Sequence, residues 1–391
     1  MFIVIILSGI LGLMCTDLFV PSLPSIAHAF HETQNHVQLT ISLFLAGFTL
    51  SQLFYGPISD YLGRKLPLMT GVLLFIIGST VCVFAASFDL LCVGRIIQGI
   101  GVGAGLSLAR VILRDVYQGT QLAIKTARVG VFISLTPAIA PFIGGILQQR
   151  FGYHSCFTFM LCYGLLLLFL ILFYFQETIQ IKNKSFTVKH TITEYSNLLK
   201  NYFFMRYVFI SGLAFAAIIL YANVMPFIIQ DELKLSAVKN GIIILLAAFG
   251  ISFGSFISSR IVKKISSERL IYFGLQFFLV CGLLLCITDY LFGTTLVCLI
   301  PLIFFIAIAC GFIFPNAVAL CFSSIKCNIG IAGAIYGSSQ IFVAMLANFL
   351  LNAIAHQDQM LLGALYFSLG LCGLIACYQR QPCMQAYKLN N

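Results

Sequence analysis

Apolar runs long enough to cross a membrane follow one another along nearly the whole chain. A spanning helix needs about 20 predominantly apolar residues, and runs of that length alternate here with short polar connections. In a bilayer only helices and closed barrels satisfy all their backbone hydrogen bonds. The sequence therefore predicts an all-α membrane protein with twelve transmembrane helices, at about residues 2–24, 38–58, 68–86, 90–112, 128–147, 155–176, 206–229, 240–259, 269–288, 295–322, 329–354 and 360–378.

Composition supports this class. Charged residues make up 9% of the chain, against about 25% in soluble domains. The 14 Cys are scattered without a C-x-x-C pair, and the six His have no metal-binding spacing. We therefore expect neither a disulfide framework nor a metal site, and no cofactor other than protons as a coupling ion.

The longest polar stretch lies between the sixth and seventh apolar runs. It divides the chain into a six-helix half at 1–176, a connecting segment at 177–205 and a second half at 206–391. Two helical halves joined in this way are the plan of a secondary transporter with internal repeats.

Lys and Arg are distributed unequally between alternate connections. If the N-terminus is cytoplasmic, the outer connections hold only three of them, namely Arg150, Lys234 and Lys239. The positive-inside rule then predicts a multi-pass membrane protein with both termini in the cytoplasm. This topology also explains the net charge of +10, so we expect the lipid bilayer and no nucleic acid as a partner. We expect a monomer.

Asp17 is the one carboxylate that the predicted spans contain. Keeping an ionisable group in hydrocarbon costs about 2.5–3.5 kcal/mol on the lowest scale, and such groups usually mark a proton, ion or substrate path. Arg95 and Arg110 are the ionisable residues of the fourth span. We expect Arg95 and Asp17 at one level of one cavity, where the cation would tune the proton affinity of the carboxylate. The alternative is a permanent ion pair.

The connection after the second span combines small, acidic and basic residues, namely Gly56, Asp60, Gly63, Arg64 and Lys65. Glycine permits a tight turn, and an aspartate near a helix end can pair with a neighbouring cation. The pattern predicts a conformational latch, a contact made in one state and broken in the other, with Arg114 and Asp115 as candidate partners. An ordinary basic connection is the alternative.

The fifth span carries two prolines and two glycines, Pro137, Pro141, Gly144 and Gly145. Proline kinks a helix and glycine lets a second helix approach closely. This predicts hinge packing, with a purely structural kink as the alternative.

Four motifs resemble those of the major facilitator superfamily. The string from Gly56 to Lys65 resembles its G-x-x-x-D-x-x-G-R-[KR] loop, and Arg95-Ile-Ile-Gln98-Gly99 resembles its R-x-x-Q-G element. The segment 136–145 resembles the antiporter motif, with Thr136 and Ala140 in place of two glycines. The T-D-x-x-x-P-x-L-P string around Asp17, together with the segment 109–115, resembles the Bcr/CflA group of twelve-span drug:proton antiporters.

This resemblance implies the major facilitator fold and proton-coupled export of small, partly apolar compounds such as drugs across the bacterial inner membrane. A dedicated exporter of a siderophore or metabolite, or a nutrient importer, is the alternative on the same fold. An enzyme is not expected, because the sequence has no H-E-x-x-H motif and no His/Cys cluster. An ATP-driven pump is not expected either, because no G-x-x-x-x-G-K-[ST] motif is present.

Polar residues in the predicted spans are candidates for substrate binding, because polar groups in a membrane tend to face the interior of the helix bundle. For each of them a hydrogen bond between helices is the alternative. The candidate substrate-binding residues are Asp17, Arg110, Tyr221, Asn223, Tyr336 and Gln340, and Asn316, Asn348 and Asn352 are further polar positions.

Overall fold

The computed structural model describes residues 1–179, 188–323, 325, 329–354 and 358–378. The predicted fold class is confirmed: this part of the chain is helical without strands, and twelve of its helices are long and apolar enough to cross a membrane. The helices are α1 (Phe2–Asp17), α2 (Leu23–Phe30), α3 (Gln34–Leu62), α4 (Lys65–Val83), α5 (Phe88–Val116), α6 (Gly119–Phe151), α7 (His154–Tyr174), α8 (Val188–Leu199), α9 (Tyr202–Phe227), α10 (Ala237–Ile261), α11 (Ser267–Phe292), α12 (Leu296–Ser323), α13 (Ile329–Asn352) and α14 (Gln359–Tyr378).

The first span is longer than the apolar run that predicted it. α1 continues through a 3-10 turn at Val20–Ser22 into α2, so the span reaches Phe30. Pro21 and Pro24 lie at the start of these two segments, where a missing N–H group costs no helical hydrogen bond. The longer span puts Asp17 near its middle instead of close to the outer end.

Side-chain caps fix the start of several spans. Thr33 accepts a hydrogen bond from the N–H of His36 and begins α3, and Ser87 does the same for Leu90 at α5. Each such cap contributes about 1 kcal/mol. The caps let these helices begin before the apolar runs do.

α5 is packed on three sides by other helices of the first half. A side chain at Gly99 would collide with the backbone of α3, one at Gly101 with α4, and one at Gly105 with α1. Small residues let helix backbones approach closely within a membrane. This packing fixes where α5 holds Arg95 and Arg110.

We call the end of the bundle that carries Arg64 and Lys65 the basic end, and the other the opposite end. At the opposite end hydrogen bonds join the first six spans to the last six: Gln230 Nε2 donates to the carbonyl of Pro21 (2.9 Å) and Asn348 Nδ2 donates to Ser42 Oγ (2.6 Å). At the basic end a cleft with about 610 Å³ of empty space lies between α3 and α5 on one side and α12 and α13 on the other. The bundle is thus joined at the opposite end and parted at the basic end.

Candidate functional site

Asp17 lines a cavity between the two halves of the bundle. The cavity has about 520 Å³ of empty space, and its walls come from α1 and α6 of the first half and from α9, α10, α12 and α14 of the second. Apart from Asp17, Tyr221 and Tyr366, the lining residues are Pro, Ala, Ile and Cys. A concave, mostly apolar space with few polar groups is the usual form of a small-molecule site.

Two polar groups of this cavity have no partner in the described part of the chain. Asp17 is 7% exposed and makes no hydrogen bond or ion pair there, and the hydroxyl of Tyr221 is buried without a partner. The hydroxyl of Tyr366, by contrast, donates to the carbonyl of Ala217 (3.2 Å). A carboxylate left unpaired in apolar surroundings is available for a proton or for a cationic group of a ligand.

Arg95 does not share this cavity, and the expectation that it would is wrong. Its guanidinium lies between the rings of Phe19 and Phe44, with its central carbon 4.1 and 4.3 Å from their centroids. One amino group donates to Gln98 Oε1 (2.8 Å) and contacts Cys15 Sγ (3.4 Å). No carboxylate of the described residues pairs with it.

The period of the helix explains the difference. Successive residues of an α-helix are rotated by about 100°, so Cys15 and Phe19 share one face of the first span and Asp17 points to nearly the opposite side. Arg95 packs on the face of Cys15 and Phe19, inside the first half. The body of the first span therefore separates the cation from the carboxylate.

The Arg64 cluster, formed by Asp60, Arg64, Asp115 and Glu177, joins the ends of four helices, α3, α4, α5 and α7, at the basic end. The guanidinium of Arg64 binds Asp60 Oδ1 (2.5 Å) and Asp115 Oδ2 (2.8 Å). Burial opposes the charge of Arg64, but the hydrogen bonds and charges of Asp115 and Asp60 outweigh it and raise its pKa above the ordinary value. Arg114 does not join the cluster but lines the cleft. It precedes Asp115 by one residue, and successive residues of a helix point about 100° apart.

The small and basic residues of this connection have different surroundings. Gly63 has φ of +94°, a conformation that residues with a Cβ rarely adopt, and this allows the turn between α3 and α4. Lys65 Nζ donates to the carbonyl of Leu172 (3.3 Å). Gly56 lies within α3 and lines the cleft, with no atom within 4 Å of where a Cβ would be. Gly56 therefore makes no close helix contact in this conformation.

Glu177, which the sequence analysis did not single out, is part of the same cluster. Its carboxylate accepts hydrogen bonds from the N–H groups of Arg64 (2.8 Å), Lys65 (3.2 Å), Thr178 (3.0 Å) and Ile179 (3.2 Å). Burial alone would raise the pKa of Glu177, but these four N–H groups outweigh it and hold the pKa below the ordinary value. In the sequence, Glu177 could have been found by its position directly after the sixth apolar run.

The proline and glycine residues of α6 face both the cavity and two other helices. Pro137 and Pro141 line the cavity of Asp17, and α6 continues unbroken through both. A side chain at Gly144 would collide with the carbonyl of Leu18, and a Cβ at Gly145 would lie 2.7 Å from the carbonyl oxygen of Ala237 on α10. The predicted close approach is present; the hinge role stays a prediction.

The remaining candidates of the second half form two separate groups. The hydroxyls of Tyr336 and Ser211 share a hydrogen bond (2.5 Å), and Gln340 Nε2 donates to Ser211 Oγ (3.2 Å). Asn223 is a candidate substrate-binding residue, but its side chain binds Asn348 and its carbonyl accepts from Gln38, both at the opposite end. Asn223 thus connects helices, while Tyr221, two residues earlier, faces the cavity.

Arg110 lines the cleft at the basic end and not the cavity of Asp17. Its neighbour Ala109 packs against Gly9 on α1. Gly9 precedes Asp17 by eight residues, so Arg110 lies about 12 Å from Asp17 along the bundle, toward the basic end. The predicted substrate-binding residues therefore lie at two levels between the halves.

Comparison with known proteins agrees with this architecture. The chain is 28% identical over 373 residues to the uncharacterized MFS-type transporter YdgK of Bacillus subtilis (strain 168), covering 95% of this chain and 92% of that protein. It is 27% identical to Multidrug resistance protein D of Escherichia coli (strain K12), covering 96% and 94%. It is 30% identical over 287 residues to Multidrug resistance protein MdtL of Escherichia coli O45:K1 (strain S88 / ExPEC), covering 72% of each chain.

Solved structures share the fold. A crystal structure of a D-xylose-proton symporter superposes with a TM-score of 0.77 at 15% identity over 97% of each chain. The human organic anion transporter MFSD10 (TETRAN) gives 0.66 at 16% identity, covering 96% of this chain and 98% of that one. The family model of the Major Facilitator Superfamily matches residues 5–347. The chain therefore belongs to the major facilitator superfamily, a family of membrane transporters.

Proposed function

We propose that this transporter is a proton-coupled antiporter that exports small, partly apolar compounds across the bacterial inner membrane. The observation that carries the proposal is the Asp17 carboxylate, unpaired among the described residues in an apolar cavity between the two halves. The names of two relatives, Multidrug resistance protein D and MdtL, support drugs as the cargo class. The basic end faces the cytoplasm, as the distribution of Lys and Arg favours.

In this mechanism cargo and proton compete for Asp17. Cargo enters from the cleft at the basic end and displaces the proton, and a proton from the other side later displaces the cargo. Neutralising the carboxylate removes most of the cost of burying it, and this shifts the equilibrium between inward- and outward-facing states. The halves rock about the contact of Gly145 with Ala237, and the Arg64 cluster stabilises one of the two states.

The test is cargo-stimulated proton release from the purified protein in detergent. Phenicols, lipophilic cations and a siderophore extract serve as the probes. We expect release from the wild type and none from Asp17→Asn, because the amide holds no exchangeable proton of this kind. Asp89→Asn, which removes an exposed carboxylate at the start of α5, should release protons like the wild type.

Two results would contradict the proposal. One is full export by Asp17→Asn in vesicles energised by a pH gradient. The other is an absence of proton release from the wild type with every probe that binds.

A further inference from the structure

The cleft at the basic end has positive charge without acidic residues. Arg110 and Arg114 line it, and its other described lining residues include no Asp or Glu. Arg110 is exposed to this space, and no hydrogen bond or ion pair to a described residue occupies its guanidinium. A guanidinium has five N–H donors and binds carboxylates in a two-pronged geometry.

A second, independent observation in the same cleft points to an acceptor-bearing ligand. Gln52 lines the cleft and is only 2% exposed, yet its Nε2 group has no hydrogen-bond partner. Leaving a buried N–H donor unpaired is unfavourable, and an acceptor group of a ligand would remove that cost. Two unoccupied donor groups, one of them cationic, thus share one space.

The cleft has room for a ligand group. Gly333, on the wall that faces Arg110, has no atom within 4 Å of the position of a Cβ. The cleft has about 610 Å³ of empty space, which includes the solvent at its open mouth.

We infer that the cargo is a zwitterionic amphipathic compound, whose amine pairs with Asp17 while its carboxylate binds Arg110 and Gln52. The inference rests on the proposed exchange at Asp17. A cargo that carried only an acid would favour the protonated form of Asp17 and would bind together with the proton, so no exchange would result. A cationic group that pairs with the ionised carboxylate does displace the proton. The separation of about 12 Å between Asp17 and Arg110 along the bundle is filled by the apolar body of the cargo.

The test compares three charge forms of one aromatic scaffold by fluorescence titration of the purified full chain. Ciprofloxacin carries a piperazine amine and a carboxylate, its methyl ester keeps only the amine, and its N-acetyl derivative keeps only the acid. We expect the zwitterion to bind the wild type about tenfold or more tightly than either derivative, because each lost charged hydrogen bond costs at least that factor.

Variants of the protein then show which residue binds each charged end of the probe. In Arg110→Gln the zwitterion should bind no more tightly than the ester, whereas Arg110→Lys should keep part of the preference. In Asp17→Asn the zwitterion should bind no more tightly than the N-acetyl form. Arg128→Gln removes the same charge from α6 outside the cleft and should leave the wild-type order unchanged.

Equal binding of the ester and the zwitterion by the wild type, an unchanged preference in Arg110→Gln, or no binding of the zwitterion at millimolar concentration would each overturn the inference. Proton release separates this outcome from failure of the proposed function. If the ester alone releases protons, the antiport proposal stands and the zwitterion inference fails. If the zwitterion binds through both ends and releases no protons, the zwitterion inference stands and the antiport proposal fails.

Discussion

At the scale of single residues, Glu177 shows how one carboxylate organises a helix end. It accepts four backbone N–H groups, two of them from Arg64 and Lys65 at the start of α4. The first N–H groups of a helix have no partner within the helix, and a negative charge there is favourable. Glu177 therefore ties the end of α7 to the start of α4 and holds Arg64 where Asp60 and Asp115 reach it.

We predict that Glu177→Gln lowers the free energy of unfolding by about 1 kcal/mol or less near neutral pH, since water screens a partly exposed carboxylate. Because folding lowers the pKa of Glu177, its contribution is fully present above the ordinary Glu pKa. It is lost as the pH falls through the lowered value. Thermal unfolding in detergent from pH 7 to about pH 3 measures the effect. A difference between wild type and variant that persists at the acidic end would contradict it.

Asp17 could be predicted as a functional residue because burying a charge is costly, and a charged residue in an apolar run is visible in the sequence. The neighbours of Arg95 could not be predicted in this way. Hydropathy predicts the depth of a residue, but the face of a helix is set by tertiary packing, and here the packing places the Arg95 guanidinium between Phe19 and Phe44. The same limit applies to Tyr221 and Asn223, which lie two residues apart and face different neighbours.

At the scale of elements, the number and order of the spans follow from apolar runs, while their ends do not. The first span passes through Pro21 and Pro24, and α3 begins four residues before its apolar run because Thr33 caps it. Both effects depend on local backbone geometry that hydropathy does not contain.

The contact of α6 with α10 joins the two halves at close range. We predict that Gly145→Val weakens it, because a Cβ there would lie 2.7 Å from the carbonyl oxygen of Ala237 and 3.2 Å from the Cα of Val238. Hydrogen exchange at the end of α6 and the start of α10 should become faster, and export about tenfold slower. Ile139→Phe adds bulk on an exposed face of α6 and is the control. Unchanged exchange in Gly145→Val would show that this contact does not hold the halves together.

At the scale of the whole molecule, two sets of contacts at opposite ends of the bundle compete. The opposite end is held by polar side chains between the halves, while Gly56 lines an open cleft at the basic end. Gly56 has room to pack closely only when the basic end closes. The closed state of the opposite end and the open state of the basic end are therefore two aspects of one conformation.

Asn348 is central to the closed end. Its side chain donates to Ser42 Oγ (2.6 Å) and to the carbonyl of Gln38 (3.4 Å), both in the first half, and it also binds Asn223. Hydrogen bonds between membrane helices contribute about 0.6 kcal/mol on average and up to about 1.7. We predict that Asn348→Ala shifts the equilibrium toward the state open at the opposite end by about threefold to tenfold.

Hydrogen exchange checks this prediction at both ends of the molecule. In Asn348→Ala, the opposite ends of α3 and α13 should exchange faster and their basic ends more slowly, because one transition opens the first and closes the second. Asn316→Ala is the matched control: Asn316 is equally buried in the second half, but it donates to Ser258 Oγ (2.7 Å) and the carbonyl of Phe312 (2.7 Å), both in its own half. It should lower stability without this reciprocal change. If both variants speed exchange at both ends alike, Asn348 only stabilises the fold and does not bias the two states.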